Sequence, residues 1–131
     1  MDFITPISEK EALQKNALAL AYVGDAVQSL YVRAILTEAT DLKTDVLHAM
    51  ATSKVKASAQ AHLVEEIVDC LTDTERSVYL RGRNSSPHHR SKNQSGADYR
   101  KATGFEAVLG YLYLTGQYTR LVELLEKQHE D

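Results

Sequence analysis

Apolar residues recur along this chain at the three-to-four-residue spacing of helices, and no run alternates strictly between apolar and polar positions as a half-buried strand would. The pattern predicts an all-α fold. Ser8 with Glu11 three residues on makes a capping box, and behind it Leu13, Ala17, Leu20, Ala21, Val23, Val27, Leu30, Tyr31, Ala34 and Ile35 form one helical run. Gly24 interrupts that run at a cost of about 1 kcal/mol against alanine, which points to the close approach of another backbone or a kink. Further helices are expected over 44–50 and over 53–71, the latter with a stripe of Val55, Ala59, Leu63, Ile67 and Cys70. Thr72 or Asp73 can cap a fourth helix carrying Val78, Tyr79 and Leu80. Residues 84–98 are polar, contain Pro87 and Gly96, and read as one long loop. A helix over 99–115 follows, with Gly116 at its C′ position, and then an amphipathic helix over 118–127.

The chain has 131 residues, of which 44% are hydrophobic and 25% charged. Those values suit one folded domain, 1–131, and exclude global disorder. The single cysteine, Cys70, excludes a disulfide framework and a cysteine-based zinc site; beside Val68 and Leu71 it reads as a core filler. Neither a signal peptide nor an apolar run of the ~20 residues that span a bilayer is present, and the expected compartment is the cytoplasm. No GxxxxGK or GxGxxG phosphate cradle, GxSxG elbow or zinc-protease spacing occurs.

The net charge of −3 speaks mildly against nucleic acid until it is divided by position. Between positions 76 and 101 lie Arg76, Arg81, Arg83, Arg90, Lys92, Arg100 and Lys101, opposed only by Asp98, so this segment is +6. The remaining residues carry eight basic and seventeen acidic groups, or −9. A basic helix end and loop with Asn84, serines and glutamine between the cations suits phosphate and sugar contacts; a merely solvated basic loop is the alternative. His88 and His89 could in principle hold a metal, although adjacent histidines on a loop more often do not.

Two carboxylates stand in the most apolar stretches. Asp25 lies within Leu20-Ala21-Tyr22-Val23-Gly24-Asp25-Ala26-Val27, and Glu106 within Phe105-Glu106-Ala107-Val108-Leu109-Gly110. An ionised carboxylate there is costly unless it is paired or binds a metal. Each could face outward or pair with Arg33 or Arg100. If the two converge, they form a hard-oxygen site of the kind that Mg²⁺ occupies with several waters, and Mg²⁺ beside a basic groove points to phosphodiester hydrolysis. Thr103 shares the face of Glu106 by its i, i+3 spacing. Tyr111 and Tyr113 are expected in the core or at an interface.

At these residues the sequence resembles the ribonuclease III family. The stretch ending Val23-Gly24-Asp25-Ala26-Val27 is similar to that family's Glu-Phe-Leu-Gly-Asp-Ala-Val signature helix. Phe105-Glu106-Ala107-Val108-Leu109-Gly110 is similar to its second acidic helix, Asp-x-x-Glu-Ala-Leu-x-Gly. Leu80-Arg81-Gly82-Arg83-Asn84, Tyr99-Arg100 and Thr103 resemble, more narrowly, the bacterial Mini-ribonuclease III group, whose members are a catalytic domain without a following double-stranded-RNA-binding domain. Two of the larger family's four carboxylates are replaced here, by Ala21 and Thr103; the group shares this reduction.

The resemblance implies an all-α homodimer with Ala17, Leu18, Ala21, Gly24 and Val27 at the dimer interface. It implies a Mg²⁺-dependent endoribonuclease (with Mn²⁺ as a substitute) that leaves 5′-phosphate and 3′-hydroxyl ends on double-stranded RNA, its substrate being precursor 23S ribosomal RNA. Asp25 and Glu106 would be the catalytic metal ligands, and Thr103 a holder of a metal-bound water. Arg76, Arg81, Arg83, Asn84, Arg90, Lys92, Arg100 and Lys101 would contact RNA, and a ribosomal protein partner is implied for the group. A non-catalytic RNA-binding or ribosome-assembly factor on the same fold is the alternative, and a purely structural helical dimer a third reading.

Overall fold

A computed structural model describes residues 4–55, 64–85 and 96–129. Among them there are helices and turns and no strand. In chain order the helices are α1 (Glu9–Leu13), α2 (Ala17–Ala39), α3 (Thr44–Val55), α4 (Asp73–Ser85), α5 (Gly96–Leu114) and α6 (Tyr118–Gln128), with a helical turn over 64–67 running into a 3-10 turn, Val68–Cys70, ahead of α4.

The continuous helix expected behind Ser8 is two helices. Ser8 does cap the first, its hydroxyl accepting from the Glu11 amide at 3.1 Å. The chain then turns, and Asn16 starts α2 afresh, its side-chain oxygen accepting from the Leu18 amide at 2.8 Å. The carbonyls left over at the end of α1 are taken by α4: the Arg81 guanidinium donates to the carbonyls of Leu13 (3.0 Å) and Lys15 (2.7 Å). Apolar periodicity carries across this break because Ala12 of α1 and Ala17, Leu20 and Ala21 of α2 are all buried. The reciprocal capping box occurs instead at α4, where the Thr72 hydroxyl accepts from the Glu75 amide (3.1 Å) and the Glu75 carboxylate accepts from the Thr72 amide (3.0 Å).

Other boundaries shift in the same direction. Helix α3 continues through Ser53 to Val55 rather than ending near 50. Asn84 and Ser85 close α4, and Gly96, Ala97 and Asp98 open α5, so the expected 84–98 loop is trimmed at both ends. Polar composition marked those residues as loop, yet exposed helix ends need no apolar face. Positions 56–63 of the helix expected over 53–71, and 86–95 of the loop with Arg90, Lys92, His88 and His89, lie outside the described residues.

Helix α5 is the axis of the core. From Ala102 to Tyr113 every residue is buried except Glu106, and α2 and α4 pack against it most extensively. Phe105, Val108, Leu109, Tyr111 and Leu112 meet Leu20 of α2, Val78 of α4 and Leu121 and Leu124 of α6 in one cluster. Tyr111 and Tyr113 are core residues, as expected; the Tyr111 hydroxyl donates to the Glu9 carboxylate at 2.8 Å. The helix ends as its sequence indicates. Gly116 adopts φ +75°, its amide donates to the Tyr113 carbonyl, and the Gln117 amide donates to the Leu112 carbonyl, the two bonds of a Schellman cap.

Cys70 is exposed, contrary to the core role expected of it. The 3-10 turn takes it off the buried stripe, and Ile67 and Leu71 on either side fill the core instead. Its carbonyl accepts from Arg120 at 2.8 Å. Arg120 also grips the nearly buried Glu75 carboxylate through two nitrogens, at 3.0 and 2.9 Å. Burial pushes the Glu75 carboxyl up, but the Arg120 and Thr72 hydrogen bonds outweigh it and hold it below the usual range. No helix among the described residues is long and apolar enough to cross a membrane.

Candidate active site and nucleic-acid interface

The two candidate carboxylates come from the two helices that cross most closely. At that crossing a β-carbon on Gly24 would stand 1.8 Å from the Glu106 carbonyl oxygen, and one on Gly110 would stand 1.9 Å from the Leu20 carbonyl oxygen. Backbone touches backbone only because both positions are glycine. Asp25 follows Gly24 directly, so Asp25 and Glu106 occupy one level of the α2–α5 pair. Asp25 is exposed and Glu106 half-buried, the one interruption in the buried face of α5.

No group of three or more His, Cys, Asp or Glu side chains suited to a metal occurs among the described residues. The carboxylates at this level of the crossing are Asp25, open to water, and Glu106, half-buried. That chemistry fits Mg²⁺, which commonly keeps several waters and takes one or two protein carboxylates beside a substrate phosphate. Thr103, one turn before Glu106, is buried, and its hydroxyl donates to the Tyr99 carbonyl at 2.9 Å.

The basic residues of the 76–101 segment divide by what they touch. Arg81 is committed to the end of α1, and Lys101 to an ion pair with Glu65 whose hydrogen bond raises the lysine's pKa. Sequence position alone gave no sign of either tie, since both partners come from distant segments. Arg76 donates to the Val68 carbonyl at 3.1 Å and is otherwise exposed. Arg83 lies over the Tyr79 ring at 5.9 Å and, with Asn84, belongs to the last turn of α4; Arg100 is half-buried on the first turns of α5. In sequence, Arg83, Asn84 and Arg100 flank the 86–95 segment that carries Arg90 and Lys92.

Ala17, Ala21 and Gly24 were expected to be small for the sake of a second subunit. They are buried within the chain; for Gly24 the close neighbour is α5. Leu18 and Val27 are half-buried. The apolar groups that α2 leaves uncovered are different ones: Tyr22 is 82% exposed, Leu30 49% and Ile35 39%. Val27, Leu30, Tyr31 and Ala34 also line an apolar groove of about 430 Å³ against Tyr118, Leu121 and Val122 of α6. The signal for this surface was present in the sequence, as more apolar positions on α2 than one face can hold.

Residues 18–117 match the ribonuclease III domain family. Mini-ribonuclease 3 of Enterococcus faecalis is 48% identical over 114 residues, covering 86% of each chain. Mini-ribonuclease 3 of Thermoanaerobacter sp. is 41% identical over 120 residues, 92% of this chain and 84% of that one. The protein of that name from Streptococcus pneumoniae is 44% identical over 112 residues, 84% and 88%. A crystal structure of a Fusobacterium nucleatum protein superposes with a TM-score of 0.79 at 23% identity, covering 86% of this chain and 90% of that one; it shares the fold.

Proposed function

The chain belongs to the ribonuclease III family and is an endoribonuclease of that type, and from this premise we propose that it hydrolyses phosphodiesters of double-stranded RNA with Mg²⁺ held by Asp25 and Glu106. The observation that carries the reading is the glycine-to-glycine crossing, which gives two carboxylates from separate helices one common level at the edge of the core. A divalent ion bound there supplies charge to the phosphate and lowers the pKa of a water. The chain's part is positional. Asp25 presents its carboxylate to solvent from a helix that cannot shift against α5, and Glu106 rises from an otherwise buried helix face. Water attacks phosphorus in line, the phosphorus bond to the 3′ oxygen breaks, and the products are a 5′-phosphate and a 3′-hydroxyl.

Arg83, Asn84 and Arg100, with Arg90 and Lys92, supply the phosphate contacts of the groove. A-form RNA offers a shallow minor groove, so recognition rests on shape, 2′-hydroxyls and phosphates. Two copies assemble through the uncovered apolar surface of α2, around Tyr22 and Leu30, and each brings one site to a shared duplex. The substrate in this reading is the base-paired stalk of precursor 23S ribosomal RNA. Incubation of the protein with structured RNA in Mg²⁺ and in EDTA tests the core of the proposal: cutting in Mg²⁺ alone is expected, and binding without cutting in either condition overturns it.

A further inference from the structure

A further cleft lies between α2 and α3, its lining mostly apolar with four polar side chains set into it. Arg33 and Thr37 of α2 face Thr44 and His48 of α3 across a cleft of about 150 Å³ whose floor is Leu36 and Leu47. Each helix thus contributes two polar residues at i, i+4 spacing, which places them on one face one turn apart. Among the described residues no carboxylate lines the cleft. Among the described residues no hydrogen bond or ion pair occupies the Arg33 guanidinium, whereas Arg81 and Arg120 are both tied to carbonyls or carboxylates of the chain. The volume is far above the ~10–15 Å³ that one water needs and accommodates a tetrahedral anion. Thr44 is the first residue of the twelve-residue α3, so the amide end of that helix also borders the cleft.

We propose that this α2–α3 cleft is a phosphate subsite of the substrate groove, with Arg33 as its charged ligand and Thr37, Thr44 and His48 as hydrogen-bonding walls. The inference rests on the functional reading above. Arg33 stands eight residues from Asp25 on the same helix, which is ~12 Å along its axis. That distance corresponds to a few phosphates of one strand, and in this proposal a duplex cut at Asp25 extends over the cleft. An arginine fork suits a phosphate in two-pronged fashion. A backbone contact of this kind carries no base information; it fixes where along the duplex the carboxylate pair falls. Arg33 is therefore a substrate-positioning residue and the cleft a part of the RNA footprint separate from the basic 76–101 segment.

The test measures binding of a fully paired RNA duplex in EDTA across a salt series, for the intact protein and for Arg33→Gln, Arg33→Lys and His48→Ala, with cleavage in Mg²⁺ alongside. Arg33 is exposed and bonded to nothing described, so the variants keep the parent's thermal midpoint. Arg33→Gln is expected to weaken binding about 3–10-fold and to make the slope of log K against log salt less negative by about 1. Arg33→Lys keeps most of that slope, and His48→Ala weakens binding without changing it. If the unmodified protein binds and cuts the duplex while Arg33→Gln and His48→Ala match it in affinity and slope, the subsite is wrong and the functional reading stands. If the unmodified protein neither binds nor cuts, both fall.

Discussion

Gly24 of α2 lies against the backbone carbonyl of Glu106 in α5, so closely that a β-carbon at position 24 would stand 1.8 Å from that oxygen. One glycine thereby sets the separation of the two helices that carry the carboxylates. It also explains a residue that, in an exposed helix, would only cost stability.

The first prediction concerns that contact. In an exposed helix, glycine to alanine stabilises by about 1 kcal/mol. Gly24→Ala must instead push backbone from backbone and is expected to destabilise by about 2 kcal/mol or more, while also lowering cleavage in the folded fraction because Asp25 and Glu106 move apart. Urea unfolding reads the first effect and single-turnover cleavage the second. A stabilised or fully active Gly24→Ala protein would contradict the crossing.

Asp25→Asn and Glu106→Gln remove one charge each from the proposed ion site and leave the packing alone. Cleavage is expected to fall at least about 100-fold, while duplex RNA binding in EDTA and the thermal midpoint stay near those of the parent. With only two fixed carboxylates, ion binding without RNA is expected to be weak, and calorimetric Mg²⁺ titration should show tighter binding once duplex is present. Normal cutting by either variant would remove that residue from the site.

Arg81 and its neighbours separate structure from recognition. Arg81→Met strips two charge-assisted bonds from the end of α1 and should cost about 1–3 kcal/mol with the salt slope of RNA binding unchanged. Arg83→Gln and Arg100→Gln should do the reverse, leaving stability within about 0.5 kcal/mol and reducing the slope by about 1 each. Equal slopes for all three variants would undo the division.

The Glu75–Arg120 pair couples stability to acid. The folded carboxyl lies below its ordinary value, so its stabilisation is complete above that ordinary range. It drains away as pH falls from the ordinary carboxylate range through the lower folded value. Arg120→Met leaves the nearly buried carboxylate without its partner and is expected to cost about 3 kcal/mol at neutral pH, with a shallower loss of stability on acidification. Denaturation midpoints between pH 3 and 7 for both proteins would show it; parallel curves would not fit.

Much of the helical layout was legible in the chain. The periodic stripes of α2, α5 and α6 are long, and Ser8, Thr72 and Gly116 sit where caps belong, because capping is a local hydrogen-bonding choice. Boundaries without an apolar face were not legible, which is why Asn84, Ser85 and 96–98 read as loop and why Leu13 and Ala17 read as one helix. Cys70 was misplaced because a 3-10 turn rotates side chains by a different angle per residue than an α-helix.

The chemistry divides in the same way. Asp25 and Glu106 stand out from sequence alone, since a carboxylate in an apolar stretch violates the ordinary pattern, and Gly24 announces a close neighbour. Which neighbour it has is a tertiary matter. Ala17, Ala21 and Gly24 turn inward, Gly24 onto α5 of the same chain, and the exposed apolar surface passes to Tyr22 and Leu30. The cations behave likewise. Their number and their clustering are properties of the sequence, but whether a guanidinium is available depends on what folding brings within hydrogen-bond reach. For Arg81 that is the end of α1, 66 and 68 residues away in sequence, and for Arg33 it is an open cleft.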